Sequence, residues 1–207
     1  HHTRMGEYTY ACSDFKFKKG LVSATKTSGH TLQIADGLWL DKKFKAAMMK
    51  SIAQSELDRK RFVYSDIGFI LLQQVVEAVT GKTLDAYLVS EFYRPMGLEH
   101  TLFQPLNRYK KADIMPTAAN DYLRRQDLCG YVYDEAAAFM GGVSGNAGLF
   151  STAQELGKIY QTILNEGELD GKRYLRPETC RIFTTEKSAV SHRGLGYDKP
   201  NLKDPKA

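Results

Sequence analysis

The sequence predicts an α+β chain in which helix dominates and strand is sparse. Three observations carry this. Residues 67–81 follow a helical apolar period: Ile67, Ile70, Leu71, Val75 and Val79 lie near one stripe, and Phe69, Leu72 and Val76 widen it. Shorter helical patterns recur from Asp41, Thr83, Ser151 and Pro177. Strand-like alternation is confined to the chain before Asp41.

The elements follow in order. In residues 5–20, Tyr8, Tyr10 and Cys12 share one parity and Phe15 and Phe17 the other, which predicts a hairpin around Ser13 and Asp14. Residues 20–31 are rich in Gly, Ser and Thr and read as loop. In IADGLWL, Asp36-Gly37 is a turn between two apolar pieces, and Trp39, the sole tryptophan, is expected to anchor the core. From Asp41 a helix places Phe44, Ala47, Met48 and Ile52 on one face. The central helix is expected to be capped by Ser65 or Asp66, to end at Gly81 and to have a buried body. Thr83 caps a further helix that buries Leu84, Tyr87, Leu88 and Phe92 and stops at Pro95. Residues 100–140 are irregular. The glycines of GGVSGNAGLFS, residues 141–151, allow close approach of backbone to backbone or to a ligand. Ser151, with Gln154 in the capping-box position, opens a helix with Leu156, Ile159, Tyr160 and Ile163 as its buried stripe. Gly167 ends it, and Pro177 starts the last one.

Composition bounds the function. The chain has 207 residues, 43% hydrophobic and 26% charged, enough for one domain with a sizeable core. The net charge of +5 is scattered over Lys16, Lys18 and Lys19, over Lys42, Lys43 and Lys45, and over Arg59, Lys60 and Arg61. These read as solvated faces, so no nucleic-acid partner is expected. No apolar run is long enough to span a membrane. Cys12, Cys129 and Cys180 form no Cys-x-x-Cys pair, so no zinc or other metal site is expected, and one pair could bridge, its members left open by the spacing. The glycine-rich loop lacks the Gly-Lys-Ser/Thr ending of a phosphate loop, and no cofactor is expected.

Three stretches resemble the serine β-lactamase-like family, which includes class C β-lactamases, low-molecular-weight penicillin-binding proteins and related esterases. They are VYSDIGFILLQQVVEAVTG, TLDAYLVSEFYRPMGLEHTLF at residues 83–103, and MGGVSGNAGLFSTAQELGKIYQTILNEGELDGKRYLRPETC at residues 140–180. RGLGYD, residues 193–198, is similar to the entry to the family's sheet. The resemblance covers about residues 31–200 and leaves 1–30 poorly matched. It looks nearest to secreted bacterial members, some of them fused to glycoside hydrolase domains. It implies the α+β β-lactamase/transpeptidase-like fold, of which this chain supplies mainly the helical region, as a partial domain or internal fragment. The implied location is periplasmic or extracellular.

The resemblance also implies a site. Tyr64 takes the family's tyrosine role in proton transfer, Ser65 lies beside it, and Asp66 stands where class C enzymes carry asparagine. An ionised aspartate only accepts hydrogen bonds, which argues against β-lactam recognition more than against the fold. The family's nucleophile lies in Ser-x-x-Lys at the start of a helix. Ser23-Ala24-Thr25-Lys26 matches it literally, with Ser23 as nucleophile and Lys26 beside it. The residues that follow, Thr27, Ser28, Gly29 and His30, do not propagate a helix, so a solvated loop is the alternative. Ser13-Asp14-Phe15-Lys16 sits in a strand-like stretch and is set aside, and no Lys/His-Thr/Ser-Gly follows Tyr197. Substrate contacts are expected from Tyr122, Arg125 and Asn146, with Arg124, Tyr131 and Tyr133 as further candidates near the site's rim. The function implied is acyl-enzyme hydrolysis of an ester, amide or peptidoglycan-like substrate. A catalytically inactive binding or structural relative is the alternative.

Overall fold

The computed structural model describes residues 12–13, 16–55, 65–185 and 191–200. The chain opens on short antiparallel strands. β1 (Cys12–Ser13) pairs with β2 (Lys16–Phe17), as the parity of this stretch predicts. β3 (Val22–Ser23), β4 (His30–Ala35) and β5 (Leu38–Asp41) form a three-stranded sheet in the order β3-β5-β4. Gly37 makes the β4–β5 turn with a left-handed φ of 60°. Side chains alternate across β5, so Leu40 enters the core while Trp39 points the other way and is only half-buried. The expectation that Trp39 anchors the core is therefore corrected by strand parity.

α1 (Phe44–Gln54) buries Phe44, Met48 and Ile52 on its i, i+4, i+8 face, while Ala47 is exposed. These residues join Ile34, Leu40, Ile67, Ile70, Leu123 and Phe139 in the main core. Phe139 is fully buried, with the rings of Phe44 and Phe17 edge-on at 5.4 and 6.3 Å.

α2 (Ile67–Thr80) ends as expected: Gly81 adopts φ 67°, and its N–H closes on Glu77 O at 3.0 Å. Its start differs from expectation. Asp66 holds the N-cap position with helical torsions, and no side chain makes the capping bond. The buried face is also narrower than expected, since only Ile67, Ile70 and Gln73 are buried. Val75 is 56% and Val79 81% exposed, and Phe69, Leu71 and Leu72 are exposed as well.

α3 (Leu84–Leu88) runs on into one π-helical turn over Val89–Tyr93. The Thr83 side chain does not cap it. Glu77 reaches over from α2 instead and accepts the Leu84 N–H at 3.1 Å. Tyr93, Met96 and Leu98 then build a second core with Leu169.

The irregular middle holds β6 (Leu102–Phe103), β7 (Pro116–Ala118), β8 (Leu128–Cys129) and α4 (Glu135–Phe139). After it come β9 (Leu149–Phe150), α5 (Ala153–Leu164), the hairpin of β10 (Glu168–Leu169) and β11 (Lys172–Arg173), and α6 (Pro177–Thr184). β6 pairs with β9, and β7 with β8. After α6, Leu195 N donates to Phe183 O at 2.8 Å, so RGLGYD turns back on this helix and forms no strand of its own. Cys129 and Cys180 are buried free thiols.

α5 begins one residue later than the capping-box pattern predicts. Thr152 is the cap and accepts from Glu155 N at 3.3 Å. The expected apolar stripe is largely exposed, with Leu156 at 39% and Tyr160 at 60%. The buried positions are polar, Glu155 and Thr162. Glu155 accepts the N–H groups of Glu99 and His100 at 3.0 Å, the Thr101 hydroxyl at 2.6 Å and His100 Nδ1 at 3.0 Å. Burial pushes its carboxyl up, but these donors outweigh burial and hold it below the usual range. Glu155→Gln turns one acceptor atom into a donor facing N–H groups and is expected to cost about 2–3 kcal/mol, read from urea midpoints. Because the folded pKa is depressed, the difference from wild type should be full above the ordinary glutamate value of about 4.3 and fade as pH falls through the folded value.

Candidate functional site

Two features of the sequence meet at α2. The first is its N-terminus, where Ser65 and Asp66 are half-buried and Asp66 O accepts from Phe69 N and Ile70 N at 2.9 and 3.1 Å. Burial of Ile67 and Ile70 in the main core holds this end in place. Tyr64, expected to be the proton-transfer residue, lies outside the described residues.

The second is the glycine-rich loop, which lies directly on the next turn of α2. Gln73 is 2% exposed and joins the two. Its Oε1 accepts from Gly145 N at 3.1 Å, and its Nε2 donates to Val143 O at 3.3 Å and to Glu77 Oε1 at 3.0 Å. Gly145 packs so closely that a Cβ there would stand 2.1 Å from Phe69 O. The next residue, Asn146, accepts from Ser144 Oγ at 2.7 Å and donates to Asp134 Oδ1 at 2.9 Å. Asp134 Oδ1 also caps α4 by accepting from Ala137 N at 2.7 Å. Asn146 thus stands beside α2, and both polar ends of its side chain are held by protein. A largely apolar groove of about 320 Å³ runs along this seam, lined by Phe69, Leu72, Gln73, Leu88, Phe103 and Asn146 among others.

The other predicted contacts sit elsewhere. Tyr122 and Arg125 are exposed on the turn of residues 121–126, where Arg125 takes a left-handed φ of 57°. Gln126 fastens that turn to the β4–β5 turn, with Asp36 N donating to its Oε1 and its Nε2 donating to Asp36 O, both at 3.0 Å. Arg124 is no rim residue: its side chain is 1% exposed and ion-paired to Asp121.

Ser23 lies in β3, opposite Trp39 of β5, and its Oγ accepts from Thr25 N at 3.3 Å. Lys26 follows a bend and places its ammonium 5.5 Å from the Trp39 ring centroid. The SATK string is therefore strand and bend, without the helix that the family's nucleophile motif opens. It borders a separate cavity of about 260 Å³, walled by Trp39, Gln33, Gln104 and Tyr131 and floored by Gly141 and Gly142. Of these, the sequence marked Tyr131 and the glycines. Trp39 and the two glutamines carry no motif, although the parity of β5 already sets Trp39 against Leu40. Among the described residues no helix is long and apolar enough to cross a membrane.

Comparison with known proteins concerns the family. The family model described as Beta-lactamase matches residues 24–200. A protein of Escherichia coli K12, provisionally named a D-alanyl-D-alanine carboxypeptidase, is 39% identical over 149 residues, 66% of this chain and 34% of its own length. A Bacillus subtilis protein named N-acetylmuramyl-L-alanine amidase is 36% identical over 155 residues, 69% of this chain and 35% of its own. This chain thus spans about a third of the length of these relatives. Among solved structures, a penicillin-binding protein homologue from Pyrococcus abyssi aligns with a TM-score of 0.49 at 17% identity, over 72% of this chain and 33% of its own.

Proposed function

This chain belongs to the β-lactamase family, with its α+β β-lactamase/transpeptidase-like fold, and on that premise we propose that it serves a serine hydrolase acting on a peptidoglycan-like amide or ester. The carrying observation is the seam at α2, where the helix that follows Tyr64-Ser65-Asp66 is locked to the glycine-rich loop through Gln73 and Gly145. Such a seam fixes the first turns of α2 against the loop, and acyl transfer needs its groups carried on rigid elements of this kind. The names of the E. coli and B. subtilis relatives, both of cell-wall peptide chemistry, support the substrate class.

The reaction runs in two steps. A serine hydroxyl gives its proton to a base as its oxygen attacks the carbonyl, and the leaving amine or alcohol takes a proton as the acyl-enzyme forms. Water then attacks the ester, and the serine recovers its proton. Tyr64 is the proposed proton carrier. Its ordinary pKa is about 10, so a neighbouring ammonium is needed to favour phenolate. Ser65 and Asp66 are the proposed polar groups at that end of the site, where Asp66, an acceptor only, cannot donate to a substrate carbonyl as asparagine would. The nucleophile is a Ser-x-x-Lys serine at a helix start, a geometry that Ser23 does not have. The proposed location is periplasmic or extracellular.

Intact-mass spectrometry of the gene product that carries this sequence tests the reading, with a fluorophosphonate and a penicillin used separately. One adduct on a Ser-x-x-Lys serine is expected, faster with the fluorophosphonate. Tyr64→Phe should slow acylation by about 10²–10⁴-fold. A folded product that takes neither probe would leave a binding relative without catalysis.

A further inference from the structure

Two of the lysine clusters that stand apart in the sequence meet in the structure. Leu21 N donates to Lys18 O at 3.1 Å and Asp41 N to Leu21 O at 2.9 Å, which sets the turn of residues 18–21 against the start of α1. Between turn and helix lies a groove of about 340 Å³, lined by Lys18, Lys19, Leu21, Phe44, Ala47 and Ser51 among others. Lys43 precedes Ala47 by four residues and Lys50 follows it by three, so both flank this side of α1. The groove is separate from the seam at α2.

Charge is concentrated here. From Lys16 to Gln54 the chain carries eight lysines and two carboxylates, a net +6 against +5 for the whole chain. One carboxylate, Asp36, is paired with Lys111. The other, Asp41, lines the groove and accepts the Lys43 N–H at 2.8 Å. Lys19, Lys43 and Lys50 are exposed and make no ion pair among the described residues. Lys43 also holds the N-cap position of α1, whose first turn has no acidic residue. The helix dipole disfavours a cation at that end, so the lysines do not serve the helix itself. They suit an anion from outside.

The remaining lining chooses among anions. The floor is apolar and recessed, with Phe44 7% and Met48 1% exposed. The exposed apolar residues of α1 are all small, Ala46, Ala47 and Ala53. A helix that lies on a bilayer turns large apolar side chains outward, and this one turns out only methyl groups. A single-stranded nucleic acid stacks on aromatic rings and arginines, and residues 16–54 contain no arginine and no exposed aromatic ring. A protein segment meets both requirements: its carboxylates reach the rim, and one aliphatic side chain fills the hollow.

We propose that this groove docks an acidic protein segment, with carboxylates on Lys19, Lys43 and Lys50 and one aliphatic side chain seated between Leu21 and Ala47. Docking here uses neither a nucleophile nor Tyr64, so it stands or falls apart from the hydrolase reading.

Fluorescence anisotropy on the folded gene product tests this with three labelled peptides, Asp-Glu-Leu-Glu-Asp, Asp-Glu-Gly-Glu-Asp and Lys-Lys-Leu-Lys-Lys. The leucine-centred acidic peptide should bind saturably and about five-fold more tightly than its glycine counterpart. Its affinity should fall several-fold between about 50 and about 200 mM salt, and the basic peptide should not bind. Lys19→Glu with Lys43→Glu should weaken the acidic peptide about ten-fold. Ala47→Trp fills the hollow from an exposed position and should bring the leucine peptide down to the glycine level. Four results overturn the proposal: no saturable binding of the leucine-centred acidic peptide, equal affinities for the two acidic peptides, affinity unchanged in the double lysine variant, or co-sedimentation with phosphatidylglycerol vesicles that this peptide does not compete away.

Discussion

Gly145→Ala is expected to lower stability by about 4 kcal/mol and to move the urea midpoint down by about 1–2 M. The added methyl would lie 2.1 Å from Phe69 O and 2.9 Å from its carbonyl carbon, and neither is the movable end of a flexible side chain. The carbonyl belongs to α2, whose Ile67 and Ile70 are buried on the other side. The loop must lift. When it does, Gly145 N and Val143 O separate from Gln73, which is 2% exposed and left with buried polar atoms short of partners. Each such loss costs about 1–3 kcal/mol. Equal midpoints for Gly145→Ala and wild type would show that the loop does not rest on α2.

Arg124→Ala is expected to cost about 3–5 kcal/mol. Arg124 and Asp121 have side chains only 1% and 0% exposed and share two bonds, Nε to Oδ1 at 3.0 Å and Nη2 to Oδ2 at 2.9 Å. The guanidinium also donates to Val132 O at 2.7 Å and to Tyr133 O. Removing it strands a buried carboxylate and two carbonyls. Arg124→Lys should not recover the loss, since one ammonium cannot reproduce the planar fork. Replacing both partners by apolar residues, Asp121→Leu with Arg124→Met, should cost less than Arg124→Ala alone; simple additivity of the single changes would refute the coupling. Burial pushes the Asp121 carboxyl up, and the Arg124 hydrogen bonds overcome this and hold it below the usual range. Its contribution is therefore complete above the ordinary aspartate pKa of about 3.9 and disappears as pH drops through the lower folded value.

What the sequence shows of this fold depends on whether a pattern points one way. Phe44, Met48 and Ile52 stand out against lysines, and that helix face is found as read except for Ala47, which is exposed. Gly81 and Pro177 mark ends that backbone sterics alone require. α2 is different, because apolar residues surround nearly its whole circumference and periodicity cannot say which side is covered. In α5 the most deeply buried positions are polar, and Glu155 is buried by partners about 55 residues earlier in the chain, which no local window contains. The site divides in the same way. The glycine-rich loop was legible as a place of close approach, and Gly145 is one. SATK was legible only as letters, since a tetrapeptide does not state whether it opens a helix or closes a strand. Arg124 looked like its neighbour Arg125, and only the return of Val132 and Tyr133 distinguishes the two.

The bare side of α2 has a calorimetric consequence. Phe69, Leu72, Val75 and Val79 stay in contact with water after folding. Their hydration therefore contributes little to the heat-capacity increment of unfolding, about 0.45 cal/K/mol for each Å² of apolar surface newly wetted. The chain should melt with a smaller increment than its length implies, and its stability curve should be correspondingly flat, changing little between cold and warm conditions.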